Sequence, residues 1–486
     1  MNSTIEMPLW AAMLALFLAT LWLLQHFLLP SARWFFRRRA NHVIDEVNTR
    51  LALKIPSFKL TRREVLIDRL CYHPEVMTLV DQLAVERQVT RDVLLAEVKV
   101  YAQEIVPAFN ALLYFKSAYW LARKLVHSIY RVRLGFAEDE ALSELDENTS
   151  VVFLMNHRSN MDYILATYLA AERTALSYAV GEWARVWPLQ QLIRSMGGYF
   201  VRRNSGDPLY RRVLEAYVQM AAQGGVPQAV FPEGRLTRDG KLGDPKLGLL
   251  GYITKGFDPT GERDIVFIPV GINYDRVLED RSLLRAAEQK PRRSKLATFS
   301  VFFGFAWKNI SQAMLGRRYR NGYACVNFGK PLFLKEWLKD NTADPHATLN
   351  DVSALASDLM YRIGEITPIL PVALVASVIT RKSTDAFSKL ELKAGVFDLL
   401  EKLESAGYRA YIPRGDRDYA VTVGIRMLTL RHVLQTKDGL LTVNKDDLHL
   451  MDYYANSIAH LIRNVQSSER RHQTDRPSTP QVTHGL

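Results

Sequence analysis

The sequence predicts a layered α/β protein with a membrane-spanning helix at its N-terminus, and three observations predict it. Short β-branched and apolar runs recur through the middle of the chain: SVVFLMN from Ser150, QAVFP around Val230, DIVFIPVGINY from Asp264 and ACVNFG around Val326. Helical patterns such as 209–222 lie between them, and strands that alternate with helices build layered α/β architecture. Ahead of both, residues 8–29 (PLWAAMLALFLATLWLLQHFLL) carry no charged side chain, which meets the ~20 apolar residues a helix needs to cross a bilayer.

The elements follow in order. Glu6 precedes the apolar run, and Arg33, Arg37, Arg38 and Arg39 follow it. The positive-inside tendency then puts the rest of the chain in the cytoplasm, with Trp10, Trp22, Trp34, Phe35 and Phe36 as interfacial anchors. A secretory signal fits poorly, because the basic cluster comes after the apolar run and no small-residue cleavage site follows. A buried core helix is the bland alternative.

Residues 40–145 read as helical throughout. Thr61 with Glu64 has the capping-box spacing, a second helix starts near Thr90, and Pro74 and Pro107 punctuate the segment. Residues 106–133 mix Phe109, Leu112, Leu113, Phe115, Tyr119, Trp120 and Leu121 with Lys116, Arg123, Lys124, Arg131 and Arg133. Such a helix lies in a lipid interface, or packs on the protein with a solvated basic face. The pattern supports both equally. The apolar stretch 297–307 (ATFSVFFGFAW) is too short to span. A strand, a core helix and a membrane-dipping segment all stay open for it.

From about Thr348 the chain reads mostly helical, with a buried segment at 371–379 and a small helical appendage over 384–464. After Gln466 it is polar and rich in Pro and Ser, a disordered composition. The expected division is an anchor with its basic flank over 1–40, a membrane-associated helical region over 41–145, an α/β domain over 146–340, a mostly helical region over 341–465 and a tail over 466–486. No internal repeat is visible.

A length of 486 residues exceeds one small core and fits two or three domains. The hydrophobic share of 48% and charged share of 23% are those of a globular chain. A net charge of +12 attracts phosphate-bearing partners without choosing among lipid, nucleic acid and acidic carriers. Cys71 and Cys325 are too few for a disulfide framework and have no metal-ligand spacing. They suggest buried thiols in a reducing compartment.

The sharpest chemical pattern is Asn156-His157-Arg158-Ser159-Asn160-Met161-Asp162. On one continuous helix, residues five apart face different ways. The pair meets if His157 ends a strand and Asp162 sits in the first turn of the next helix, with Ser159 or Asn160 as the cap. The carboxylate then fixes one imidazole nitrogen and leaves the other free to take a proton from an alcohol. The same geometry also serves a hydrogen bond that only tidies a strand-to-helix turn. Three later stretches add weight: Gly197-Gly198-Tyr199-Phe200-Val201-Arg202-Arg203, Phe231-Pro232-Glu233-Gly234-Arg235-Leu236-Thr237-Arg238, and Phe267-Ile268-Pro269-Val270 with Tyr274 and Asp275 after it. Each brings polar groups to a strand end, where α/β folds build their sites, and arginine forks match phosphate oxygens.

These four stretches, in this order, resemble the four motif blocks of the glycerolipid acyltransferase superfamily. The flavour is nearer to bacterial membrane-bound glycerol-3-phosphate acyltransferase than to the shorter lysophosphatidate acyltransferases. The flanks QEIVPAFNALLYFKSAYWLARKLVHSIYRVRLGF, PKLGLL, YACVNFGKPL and DYYANSIAHL carry the likeness from about Tyr101 to Leu461. The resemblance implies an acyltransferase layer fold, a mixed sheet flanked by helices, with helical regions on either side in sequence. It implies that His157 is the general base and that Asp162 orients it. Arg203, with Arg202, binds the acceptor phosphate. Glu233 and Gly234 shape the acceptor site, Arg238 adds a phosphate contact, and Pro269 lies toward the acyl donor. The third block usually has arginine two residues after its glycine. Here Leu236 holds that place and Arg235 is displaced by one.

The implied reaction acylates the sn-1 hydroxyl of glycerol 3-phosphate from acyl-CoA or acyl carrier protein, without metal or bound cofactor. It takes place at the inner membrane, with anionic lipid as a further partner. Lysophosphatidate acylation is the rival of the same chemistry. A catalytically silent membrane-binding module is the rival of another class. The charge also allows nucleic-acid binding, but no stacking or zinc module supports it.

Overall fold

The computed structural model describes residues 8–24, 53–287, 321–341 and 352–474, apart from 112, 138–144, 147, 171–173, 188, 203–204 and 383–385. Arg33, Arg37, Arg38 and Arg39, the apolar stretch 297–307 and the tail beyond 474 lie outside the described residues.

A mixed eight-stranded sheet organises the chain. Its strands are β1 (Arg131–Ala137), β2 (Thr149–Met155), β3 (Ser177–Gly181), β4 (Tyr199–Val201), β5 (Gln228–Val230), β6 (Asp264–Tyr274), β7 (Tyr323–Phe328) and β8 (Leu332–Phe333). The order is β1-β7-β6-β2-β5-β3-β4, with β8 paired to β6. β2 runs parallel to both β5 and β6, and β3 is parallel to β5 and β4. β7 and β8 run antiparallel to β6. The strands β2, β5, β3 and β4 therefore end at one common edge.

Helices cover both faces. On one side lie α2 (Arg63–Cys71), α3 (Pro74–Arg87), α4 (Arg91–Ile105), α7 (Pro208–Gln223), α8 (Leu247–Thr254) and α10 (Ser353–Glu365). On the other lie α5 (Tyr119–Ile129), α6 (Met161–Ala170) and the C-terminal helices α11 (Pro371–Arg381), α12 (Lys389–Ser405), α13 (Arg417–Leu430), α14 (Leu448–Asn456) and α15 (Ala459–Thr474). Further helices are α1 (Leu9–Leu23) and α9 (Asp280–Ala287), with short ones at Ser57–Leu60, Leu189–Ser195 and Leu334–Asn341.

The central strands read as continuous apolar runs because neither face meets water. Successive side chains take opposite faces. Val151, Phe153 and Met155 enter the core beneath the C-terminal helices, while Val152 and Leu154 enter the other. β6 alternates likewise, with Ile265 and Phe267 on one side and Val266, Ile268, Val270 and Ile272 on the other. Truncating such a side chain to Ala typically costs about 2–5 kcal/mol.

Three expectations are corrected. The N-terminal span is the first. α1 has 15 residues, which at 1.5 Å each gives about 22 Å against a hydrocarbon core of about 30 Å. Among the described residues no helix is long and apolar enough to cross a membrane. The apolar composition was legible, but the described helix is too short. The second is the helical reading of 40–145, which ends in a strand. β1 pairs parallel with β7 and takes Arg131 and Arg133 out of the basic helix. The third is the capping box. α2 begins at Arg63 with Arg62 at the cap, because the Thr61 hydroxyl turns back and donates to the Ser57 carbonyl at 3.1 Å.

The C-terminal region is helical, as its pattern predicts, and adds a small sheet in the order β10-β11-β9, with β9 (Ala386–Phe387), β10 (Leu434–Lys437) and β11 (Leu440–Val443). α11 is buried from Pro371 to Ile379. α15 continues past Gln466 to Thr474. Cys71 and Cys325 are buried free thiols.

Candidate active site at the end of β2

Asn156 continues the strand pairing with its side chain. Its Nδ2 donates to the Ile272 carbonyl at 2.9 Å, and its Oδ1 accepts from the Ile272 N–H at 2.7 Å. This fixes to β6 the point where the chain leaves the sheet. His157 comes next, and Ser159 opens α6 by accepting the Met161 N–H on its hydroxyl at 3.1 Å.

His157 Nδ1 lies 2.9 Å from Asp162 Oδ2. That oxygen also accepts the Arg158 and Ser159 N–H groups at 2.7 and 3.0 Å, while Oδ1 accepts the Tyr274 hydroxyl at 2.6 Å. Four donors thus hold a fully buried carboxylate in the first turn of α6. A carboxylate on Nδ1 selects the tautomer with the proton there, so Nε2 keeps its lone pair. Nε2 has no hydrogen-bond partner among the described residues. The ring stacks on Phe231 at 4.1 Å between centroids and meets the edge of Tyr163 at 5.4 Å. It is 3% exposed.

The turn after β5 grips the same backbone. Glu233 accepts the His157 N–H on Oε1 at 2.8 Å and the Gly243 N–H on Oε2 at 2.9 Å. Thr237 N–H donates to the His157 carbonyl at 3.0 Å. Burial pushes the Glu233 carboxyl up from its usual range, and the two backbone bonds and the nearby Arg158 cation pull it back. On the other flank, Glu279 accepts the Ser159 hydroxyl at 2.7 Å and the Asn160 amide at 3.1 Å. Burial likewise raises its carboxyl.

The structure thus brings His157, Asp162 and Glu233 together. Gly234 follows in the turn, exposed and with φ of 66°. Arg235 and Arg238 are exposed on the same turn and have no hydrogen-bond or ion-pair partner among the described residues. Pro269 is buried in β6 opposite Leu154, and its carbonyl accepts the Gly329 N–H at 2.9 Å.

Arg202 stands apart. β4 is three strands from β2, about 14 Å across the sheet at the usual strand spacing. The Arg202 fork donates to both oxygens of buried Glu104, at 3.0 and 2.7 Å, and lies between Tyr101 and Tyr210. Those bonds hold its guanidinium above its ordinary range. Arg185 shares Glu104 at 2.7 Å. Arg203 lies outside the described residues.

Sequence reasoning gave no role to Asn156, Arg158, Tyr274 and Glu279 in building the site. Asn156 and Arg158 sit inside the first block, but their partners lie far along the chain. Nothing local marks Glu279.

Two family models match the chain. Residues 136–273 match the model described as Acyltransferase, and residues 309–464 match the one described as Glycerol-3-phosphate acyltransferase C-terminal region. These two regions of the chain are thus similar to acyltransferases and to the C-terminal region of glycerol-3-phosphate acyltransferases. A relative in Pseudoalteromonas atlantica named glycerol-3-phosphate acyltransferase is 24% identical over 453 residues, covering 90% of this chain and 53% of its own length. One of the same name in Ectopseudomonas mendocina is 30% identical over 347 residues, covering 66% and 40%. The chain spans about half, or less, of the length of the curated relatives it matches. The crystal structure of the 1-acyl-sn-glycerophosphate acyltransferase from Thermotoga maritima aligns with 62% of this chain and 95% of its own. The TM-score is 0.29 and the identity 15%.

Proposed function

We propose that the chain transfers a fatty acyl group from an acyl thioester to the sn-1 hydroxyl of glycerol 3-phosphate, giving lysophosphatidate for phospholipid synthesis. The observation that carries this reading is the His157–Asp162 pair, with Nδ1 engaged at 2.9 Å and Nε2 open. The names of the relatives support the choice of acceptor.

In this reading Nε2 takes the hydroxyl proton as the oxygen attacks the thioester carbonyl. The carbon–sulfur bond then breaks, and the imidazolium returns the proton to the leaving thiolate. Asp162 holds the ring and stabilises its charged form. Glu233 fixes the backbone that presents the base, and Gly234 lets the turn adopt its left-handed φ. Arg203, Arg235 and Arg238 supply cations for the acceptor phosphate. Arg202 reaches a phosphate only by releasing Glu104. Pro269 borders the donor side. The donor is acyl-CoA or acyl carrier protein, and the step needs no metal or bound cofactor.

The product is amphiphilic, so the reaction belongs at the cytoplasmic face of the inner membrane. Two exposed apolar surfaces support lipid contact. α1 exposes Leu9 at 80% and Trp10 at 70%, and α5 exposes Trp120 at 54% and Leu121 at 51%. The exposed cations Arg123 and Lys124 lie on that same α5 turn and suit anionic headgroups.

The test is direct. Purified protein is incubated with labelled acyl-CoA or acyl carrier protein and, in turn, glycerol 3-phosphate, dihydroxyacetone phosphate and lysophosphatidate. Lysophosphatidate formed from glycerol 3-phosphate is the expected product. Phosphatidate alone, or no lipid from any acceptor, overturns the reading.

A further inference from the structure

We propose that Arg158 is a positioning residue through which the C-terminal helices set the geometry of the His157 base. The inference rests on the function proposed above and adds to it a dependence on α14.

Arg158 follows the base directly, and its N–H shares Asp162 Oδ2 with the imidazole. Its side chain is 2% exposed. Nη1 donates to the Gly240 carbonyl at 3.0 Å, and Nη2 donates to the Ser457 carbonyl at 3.0 Å. One guanidinium therefore joins the base loop, the turn after β5 and the C-terminal region. Among the described residues no carboxylate bonds it, and its Nε is buried without a partner. Burying a cation on two carbonyls is an expensive way to fill space. A planar fork that spans two fixed acceptors suits holding a loop in register.

The docking at the far end of the fork is independent of Arg158. Gly240 has φ of 84°, and a Cβ there would lie 1.9 Å from the Tyr453 carbonyl oxygen. α14 thus rests on bare backbone. Asn456 donates to the Asp239 carbonyl at 2.9 Å, and Asn273 of β6 donates to the Pro368 carbonyl at 2.8 Å and the Ser457 hydroxyl at 3.3 Å. The Val277 N–H donates to the Tyr454 hydroxyl at 3.1 Å. The segment from Tyr453 to Ser457 is therefore fixed to the turn and to the end of β6. Arg158 passes that fixed position to the residue beside the base.

The experiment uses the full chain with Arg158→Met, Arg158→Lys and Gly240→Ala. It measures kcat and KM for glycerol 3-phosphate and acyl-CoA, together with hydrogen exchange in peptides from 448–465. For Arg158→Met the expected result is a kcat lower by about 100-fold, the typical effect of a misplacement near 1 Å. Both KM values should stay within about twofold, and exchange in 448–465 should rise. Arg158→Lys, which keeps a donor but loses the fork, should recover part of the lost kcat. Gly240→Ala should lower kcat in the same direction, and it alone with Arg158→Lys decides the matter if Arg158→Met does not fold. Faster exchange with kcat within twofold of wild type means a purely structural clamp and overturns the inference. So does a raised KM for glycerol 3-phosphate at unchanged kcat, which makes Arg158 an acceptor ligand. If the wild-type chain transfers no acyl group, the proposed function fails as well. If it does transfer and the variants match it, this inference alone fails.

Discussion

His157 has one nitrogen bonded and one open, so the two neighbouring polar residues can be tested separately. His157→Ala should lower turnover by about 10²–10⁴-fold, the usual worth of general-base catalysis, with thermal unfolding close to wild type. Retention of more than a tenth of the turnover argues that the imidazole does not take the proton. Asp162→Asn should lose both turnover and stability. An amide replaces an oxygen that accepts three N–H groups, and unmatched buried donors cost about 1–3 kcal/mol. Urea unfolding beside steady-state assays reads both effects. A variant with normal stability and normal turnover leaves Asp162 no role at all. The His–Asp pair was legible because six consecutive residues, from the strand end to the first helical turn, contain it. The partner of Arg202 was not, since Glu104 lies 98 residues before it and an arginine after a strand looks the same whether its fork is empty or filled.

Elements buried on both faces were the legible ones. β6 appears in full as the apolar run of Asp264–Tyr274, whereas β1, with Arg131 and Arg133 in it, reads as more of the preceding basic helix. Hydropathy marks residues 8–29 as one apolar run, whereas the described helix covers Leu9–Leu23, and length is what a span requires. At the end of β6, Asp275 accepts the Tyr323 N–H at 2.9 Å and the Val372 N–H at 3.1 Å, joining β6 to β7 and to the start of α11. Burial pushes its carboxyl up to about 6. A raised carboxyl favours the folded state while protonated, so its contribution is complete below about pH 4 and is lost as pH rises toward 6. Relative to Asp275→Asn, wild type should lose about 3 kcal/mol of stability between pH 4 and pH 7, from a shift near two units. Urea midpoints at the two pH values measure this, and a difference that does not change with pH contradicts it. α5 gives a second test at this scale. Trp120→Ser with Leu121→Ser should reduce flotation with anionic vesicles at low salt and leave the unfolding temperature nearly unchanged. Equal flotation removes α5 from the lipid surface.

Across the whole molecule, the C-terminal region is tied to the α/β region by a buried charge pair. Arg431 Nη2 lies 2.5 Å from Asp280 Oδ2, and the Tyr454 hydroxyl shares that oxygen at 2.5 Å. Arg431→Met strands the Asp280 carboxylate and should cost about 3–5 kcal/mol. Adding Asp280→Asn should return a good part of it. Denaturant unfolding of the single and double variants tests the pair, and equal losses in both mean the packing of Arg431 matters more than its charge. The bond from Arg158 to Ser457 has a different consequence, in time. It joins residues 299 apart. At roughly 5–20 residues per second, synthesis needs about 15–60 s between them. For most of that interval, once Gly243 has been made, the growing chain holds every residue of the His157 loop and of the turn that grips it, but lacks the carbonyl that completes the clamp. In the proposed function, acyl transfer should therefore begin late, when α14 has emerged and docked.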